Sequence, residues 1–298
     1  MDIRVLNYFL TVAREGSMTG ASRLLHVSQP TLSKQIKDLE IELGKKLFIR
    51  TNHRIKLTDE GLLLKKRAED IVDMFEKTKN EFMTLDDISG GDIYIGAAET
   101  DAFKFFARTA VDLRQQYPSM RYHLFSGNSF EVTERLDRGL DDFGIVVDPV
   151  DLSNYHYLSL PDKNTWGVVM RADSPLAEKD AITIDDLLDL PLIVSRQANQ
   201  QKLSTDAFTQ WFGNTFEKLN IVATYSLAFN SFIMVREGFG YALAFDGLVN
   251  STLENGLVFR PLKPNIESGL YIIWKKHQVF SPSAEIFLEA IKEKLDTL

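Results

Sequence analysis

Gln29, Pro30, Thr31, Ser33 and Lys34 place amide, hydroxyl and ammonium groups in the first turns of a helix that can start at Ser28. Ser28 is a good cap, and Pro30 falls in the first turn, where a missing N–H costs nothing. Leu32, Ile36, Leu39 and Leu43 are spaced by 4, 3 and 4, so they form one apolar stripe and leave the polar run and Lys37 facing outward. Groups set out this way can reach base edges and phosphates of duplex DNA, and Pro30 can touch a thymine methyl. Upstream, residues 17–26 predict a short helix with Ala21, Leu24 and Leu25 on its buried side, then a tight break at Val27-Ser28. Two short helices, the second with a polar N-terminal half, are what a helix-turn-helix needs to enter a major groove. After Gly44, Phe48-Ile49-Arg50 and Arg54-Ile55-Lys56-Leu57 flank a polar turn, Thr51-Asn52-His53, as a two-stranded wing would. Arg50, Arg54 and Lys56 would then meet phosphates or a minor groove.

An ordinary helical hairpin is the competing reading, and charge argues against it. Residues 1–58 hold ten Lys/Arg and five Asp/Glu, a net of +5, whereas the whole chain carries −8 and its remainder therefore −13. A basic head on an acidic body fits phosphate contact by the head alone. The 298 residues suffice for two or three compact units, and 44% hydrophobic with 26% charged residues is ordinary for a globular protein. No apolar run approaches the ~18 residues of a membrane span. Met1-Asp2-Ile3-Arg4-Val5 has no basic start followed by an apolar core, so no export signal and no membrane partner are expected, and the expected location is cytoplasmic. Zero cysteine excludes disulfides and thiolate chemistry, and the five scattered histidines offer no metal-ligand pair, so no cofactor and no metal are expected.

The run from Leu6-Asn7-Tyr8-Phe9-Leu10 through Ala21-Ser22-Arg23-Leu24-Leu25-His26-Val27-Ser28-Gln29-Pro30-Thr31-Leu32-Ser33, Leu39-Glu40, Leu43-Gly44, Leu47-Phe48-Ile49-Arg50 and Leu57-Thr58-Asp59-Glu60-Gly61 resembles the winged helix-turn-helix of LysR-type transcriptional regulators. The match is long and dense, and later segments resemble the same family. It implies promoter or operator DNA as a partner, a small-molecule effector, self-association into homodimers and further into homotetramers, and RNA polymerase as an additional partner. It also implies that effector binding closes a cleft and changes how paired DNA-binding heads bend and contact a promoter.

Thr58 can cap a helix whose first turn holds Asp59 and Glu60, where the helix dipole favours negative charge. Leu64, Ala68, Ile71, Phe75, Thr78, Phe82 and Leu85 step by 4 and 3, a heptad seam for a partner helix. At ~1.5 Å per residue such a helix is a rod of roughly 40 Å. The alternative is a long amphipathic helix packed on its own domain; in the resembled family these linker helices pair. Asp86-Asp87-Ile88-Ser89-Gly90-Gly91 reads as a hinge. Strands and helices then alternate: strands at 92–97, 121–125 and 143–147, with helices at 100–117 and 129–138. The plan repeats with strands at 166–170, 192–194, 221–225 and 241–244, helices at 183–188, 203–219 and, capped by Asn230, 231–237, then a strand at 270–274 and a helix at 281–295. Such alternation implies parallel sheets with helices on both faces.

With the alternation of elements, the resemblance implies an α/β protein: an N-terminal all-α winged helix-turn-helix, then a two-lobed, periplasmic-binding-protein-like (type 2) effector domain in which the C-terminal strand and helix return to the first lobe. The expected bounds are then 1–58 for the DNA-binding domain, 59–88 for the linker helix, 89–160 with 265–298 for one lobe, and 161–264 for the other, with crossovers near Pro161 and Pro264.

A ligand between such lobes meets strand C-termini and helix N-termini. Glu99 and Thr100, Asn128 and Ser129, Ser195 and Arg196, and Asn230 meet that description. In the resembled family such positions carry Ser, Thr, Asn and Gln, commonly for small carboxylates. Here Glu99 and Asp101 stand where an anion would be expected; helix capping explains Asp101 without a ligand. A Glu99 facing the cleft would favour a cationic, zwitterionic or hydroxyl-rich effector. Arg196 is the one obvious anion-binding group nearby, and a structural ion pair explains it as well. Asp246 stands where relatives usually have Pro, without a functional account. No nucleophile elbow, phosphate-binding glycine loop or paired metal motif appears, so no catalytic residue is assigned and no enzyme is expected. A solute-binding protein would need an export signal and no wing. An architectural repressor without a ligand stays open.

Overall fold

The structure, a computed structural model, describes residues 1–50, 55–84, 90–197, 207–249 and 256–297. The chain divides into two compact units, Met1–Thr84 and Leu85–Leu298.

The first unit starts with a helix absent from the sequence-based expectation, α1 (Ile3–Glu15), capped by Asp2, whose carboxylate accepts the Val5 N–H at 2.9 Å. α2 (Met18–Leu24) is capped by Ser17, and α3 (Gln29–Leu43) by Ser28. Gly16 and Gly44 end α1 and α3 in the left-handed conformation that favours glycine. Val5, Leu6, Phe9 and Val12 of α1 close over Ala21, Leu32, Ile36, Leu39 and Leu47 as one core. Two expected core positions are exposed: Leu24 and Leu43 are the last residues of their helices and lie outside this core. β1 (Phe48–Arg50) and β2 (Ile55–Leu57) pair antiparallel, with Ile49 opposite Lys56. α4 (Asp59–Thr84) follows, capped by Thr58, whose hydroxyl accepts the Gly61 N–H at 2.9 Å and donates to the Lys46 carbonyl at 2.7 Å.

The heptad seam of α4 divides in two. Ala68 is fully buried in the core of its own unit, with Leu64 and Val72 packed against it. Ile71, Phe75 and Phe82 are exposed; Leu85 lies outside the described residues. Along this seam the first turns of the helix thus complete the head, and the later turns leave their apolar residues exposed.

The second unit holds two sheets. The first, in order β4-β3-β5-β13-β6, is built from β3 (Gly90–Ala98), β4 (Ser119–Gly127), β5 (Phe143–Val147), β6 (Tyr155–Ser159) and β13 (Leu270–Lys275). α5 (Phe103–Gln116) and α6 (Ser129–Asp137) connect its parallel strands, and α9 (Pro282–Asp296) packs Phe287 and Ile291 against Phe106, Phe143 and Ile272. The second sheet, in order β11-β7-β10-β8-β9, contains β7 (Asn164–Arg171), β8 (Leu192–Ser195), β9 (Ile221–Tyr225), β10 (Tyr241–Phe245) and β11 (Leu257–Pro261). β12 (Glu267–Ser268) pairs with β7. α7 (Ala207–Phe212) and α8 (Ala228–Arg236) cover it.

The sheets are mixed, not parallel as the alternation suggested. β13 runs antiparallel to β5 and β6, and β7 antiparallel to β10 and β11. These strands enter from the crossovers without an intervening helix, which removes the constraint that keeps β-α-β units parallel. Residues 185–187 are a 3-10 turn; Asp186 closes it by accepting from the Thr183 N–H and hydroxyl. Of the expected 203–219 helix, Ala207–Phe212 is α-helical and Gly213–Lys218 is 3-10, while 198–206 lie outside the described residues.

Candidate functional site

On the head, α3 exposes Gln29, Pro30, Thr31, Lys34 and Lys37, while Ser33 is half-buried. Leu32, Ile36 and Leu39 hold the opposite face in the core. The Ser28 hydroxyl accepts the Thr31 N–H at 3.2 Å and lies 2.8 Å from the Thr31 hydroxyl, so the cap also orients that side chain. Lys56 is exposed on β2. Arg50 ends β1, but its side chain and the whole of Arg54 lie outside the described residues. Glu40, which residue pattern did not single out, joins helix to wing. Its carboxylate accepts the Leu47 N–H at 2.9 Å and the Phe48 N–H at 3.3 Å, and meets the Lys46 ammonium at 2.6 Å. Burial alone would raise this carboxyl; the Lys46 bond and the two amides outweigh it and hold its pKa below the ordinary value.

In the second unit a cavity of about 340 Å³ opens at the ends of both sheets. Glu99, Asn128 and Ser129 line it from the first sheet's side, Ser195, Tyr225 and Ala228 from the second's. Trp166, Phe208 and Phe245 supply aromatic walls, ring centroids 4.4 and 4.2 Å from Trp166. The Trp166 indole N–H donates to Ser268 Oγ at 3.0 Å. The Tyr225 hydroxyl donates to the Leu243 carbonyl at 2.7 Å, and burial followed by the nearby Glu99 charge pushes its pKa well above the ordinary 10. Asp148 also lines the cavity. Its Oδ2 accepts from the Tyr271 hydroxyl at 3.1 Å and the Gly269 N–H at 3.2 Å.

Glu99, Asn128, Ser129 and Ser195 are therefore brought together. Their polar groups are not equally free. Asn128 caps α6, its Oδ1 accepting the Glu131 N–H at 3.0 Å. The Ser129 hydroxyl is engaged twice with Val147, donating to its carbonyl at 3.1 Å and accepting its N–H at 3.0 Å. Glu99 Oε2 accepts the Ala228 N–H at the start of α8, so a carboxylate from one lobe caps a helix of the other.

Three expected cleft residues lie elsewhere. Thr100 is buried and structural: its hydroxyl donates to Asn164 Oδ1 at 2.8 Å and accepts the Ala102 N–H at 3.1 Å. Asn230 is exposed in the third position of α8 and caps nothing, because the helix starts three residues earlier than its side chain suggested. Arg196 is exposed and lines an adjoining cavity of about 450 Å³ with Asp137, Asp151 and Tyr155, and the two cavities share Asn128, Ser129 and Gln197. Asp101 does not cap α5; it pairs with Lys104 at 2.7 Å. Asp246 gains a structural account. Its Oδ1 accepts the Thr165 N–H at 2.8 Å and its own N–H donates to the Thr165 carbonyl at 2.9 Å, joining the end of β10 to β7. Asp148, Trp166, Phe208, Tyr225 and Phe245 were missed, being spread over the chain as ordinary core-type or turn residues with no shared local pattern.

Among the described residues, no helix is long and apolar enough to cross a membrane, and no cluster of metal-ligand residues occurs.

Comparison with known proteins bears on both sites. The profile for the bacterial regulatory helix-turn-helix protein, lysR family, matches residues 3–62, and that for the LysR substrate binding domain matches residues 88–296. The chain is 33% identical over 296 residues to the uncharacterized HTH-type transcriptional regulator YwbI of Bacillus subtilis, covering 99% of this chain and 97% of that protein. The crystal structure of CbnR, a LysR family transcriptional regulator, superposes with a TM-score of 0.75 at 16% identity over 99% of each chain. Full-length CbnR complexed with its target DNA gives 0.73 at 17%, over 99% of this chain and 100% of that one. Two profile matches that together span nearly the whole sequence, with an exposed recognition helix and a two-lobed cleft where they require them, establish that the chain belongs to the LysR family of transcriptional regulators.

Proposed function

We propose that Gln29, Pro30, Thr31, Ser33 and Lys34 read or position an operator, that Arg50, Arg54 and Lys56 of the wing hold the backbone beside it, and that a ligand in the cleft modulates this binding. The observation that carries the proposal is the asymmetry of α3: its N-terminal half projects from the head as polar side chains on a Ser28-capped turn, while Leu32, Ile36 and Leu39 fix the rest. A rigid helix with a free polar start suits a major groove, and the target-DNA complex reported for CbnR supports that docking mode here.

The exposed Ile71, Phe75 and Phe82 support pairing of α4 with a second copy, and a partly palindromic operator follows from such pairing. Association of effector domains into a tetramer and contact with RNA polymerase complete the proposal, with a cytoplasmic location and no catalytic activity. The working boundaries are 1–58 for DNA binding, 59–88 for pairing, 89–160 with 265–298 for one lobe and 161–264 for the other. For a ligand to act it must bind one arrangement of the regulator better than another.

Anisotropy of labelled duplexes carrying the sequence upstream of the protein's own gene tests this, measured over a range of salt. Tight, salt-dependent binding to one segment over a scrambled control is expected. Equal affinity for every duplex would contradict operator recognition.

A further inference from the structure

The cleft's charge is one-sided. Glu99, Asp148 and Glu267 line the cavity, and among its described lining residues there is no Lys, Arg or His. Lys163 neutralises Glu267 at 3.0 Å. Glu99 and Asp148 have no cationic partner among the described residues; each has one oxygen held by neutral donors and the other, Glu99 Oε1 and Asp148 Oδ1, without a hydrogen bond. Arg196 lines the adjoining cavity, which shares Asn128, Ser129 and Gln197 with this one, and has Asp137 and Asp151 beside it there.

The α8 N-terminus is the natural seat for a ligand anion. Here it is already answered by a side-chain anion, since Glu99 accepts the Ala228 N–H. An incoming carboxylate would face a capped helix end and two carboxylates without cationic partners. A cation meets the opposite conditions. Its charge can approach two free carboxylate oxygens, and Trp166, Phe208, Tyr225 and Phe245 offer rings on which an ammonium and its apolar body are both stabilised.

We infer that the cleft takes an organic cation, a protonated or quaternary amine on a compact apolar body, with Glu99 and Asp148 selecting its charge and the Trp166–Phe245 wall its body. This rests on the cleft being the effector site. Glu99 then has two roles. It joins the lobes through Ala228, and it excludes the anions that the same helix end would otherwise attract.

The test uses three probes of one shape and different charge: benzylammonium, benzyl alcohol and benzoate, titrated calorimetrically into the full-length protein. Benzylammonium should bind at least tenfold tighter than benzyl alcohol, about 1.4 kcal/mol, and benzoate should bind least. Glu99→Gln keeps an oxygen for the Ala228 N–H but removes the charge. It should weaken benzylammonium at least tenfold and leave benzyl alcohol within about twofold, with the circular dichroism spectrum unchanged. Should that variant fail to fold, Asp148→Asn reads the same expectation. Benzoate binding as tightly as benzylammonium, or charge-independent binding, would overturn the inference while leaving a working sensor site. Failure of all three probes up to their solubility limits would overturn it as well. Operator anisotropy on the same preparation reports separately whether the DNA-binding proposal stands.

Discussion

At the level of single residues, Lys34 is exposed on α3, opposite the buried Leu32, Ile36 and Leu39. Replacing it with Ala should weaken operator binding and flatten the salt dependence, by about 0.9 in the log–log slope for each phosphate that the ammonium neutralises, with the melting temperature unchanged. An unaltered slope would remove Lys34 from the interface. Glu40 could not be placed from sequence, since its partners Leu47 and Phe48 are amides of a segment whose path the residue types do not state. Its side chain is only 10% exposed. Glu40→Ala should therefore cost about 1–3 kcal/mol, the penalty for leaving buried donors unpaired, read by urea unfolding of the head. The folded-state pKa lies below the ordinary 4.5, so the carboxylate's contribution is fully present above 4.5 and fades as pH falls through the lower folded value. A wild-type minus Glu40→Gln stability difference that stays constant on acidification through that range would contradict this assignment. Thr100 and Asn230 went the other way: both residue types suit a cleft, but hydrogen bonding to Asn164 takes one and the earlier start of α8 exposes the other.

At the level of elements, periodicity located α2, α3, α4 and most strands, and failed where tertiary context sets the answer. α1 escaped notice although Val5, Leu6, Phe9 and Val12 supply much of the head's core. β6 and β11 escaped notice too, and the antiparallel direction of β13, a strand expected at 270–274, depends on where the crossovers deliver the chain, which no local pattern records. In α4 the seven-residue repeat was legible, but it could not show that Ala68 is used by the head while, of the seam, Ile71, Phe75 and Phe82 stay exposed. Phe75→Asp should accordingly separate dimers in sedimentation while changing the head's own stability by no more than about 0.5 kcal/mol, as for other exposed positions. An unchanged sedimentation coefficient would reject pairing through this stripe. The start of α4 has a separate constraint. A Cβ on Gly61 would lie 2.2 Å from the Leu47 carbonyl oxygen, the acceptor of the Thr58 N–H. Gly61→Ala should cost about 1–3 kcal/mol by overpacking, measured by thermal unfolding of the head.

For the whole molecule, the charge division was visible in the sequence: +5 in residues 1–58 against −13 in the rest assigns polyanion binding to the head alone. The cleft was legible in position but not in character. Turn residues after strands indicated where the cavity opens, whereas its aromatic walls come from β7, α7 and β10 and converge only in the fold. On the proposed docking, the exposed start of α3 distinguishes one duplex from another. Anisotropy of wild type and Gln29→Ala on the operator and on a scrambled duplex of equal length, at one fixed salt concentration, tests this. Wild type should prefer the operator, and Gln29→Ala should lose about 1–3 kcal/mol of that preference, the worth of a base contact, with affinity for the scrambled duplex retained. An undiminished preference in the variant, or none in wild type, would contradict it.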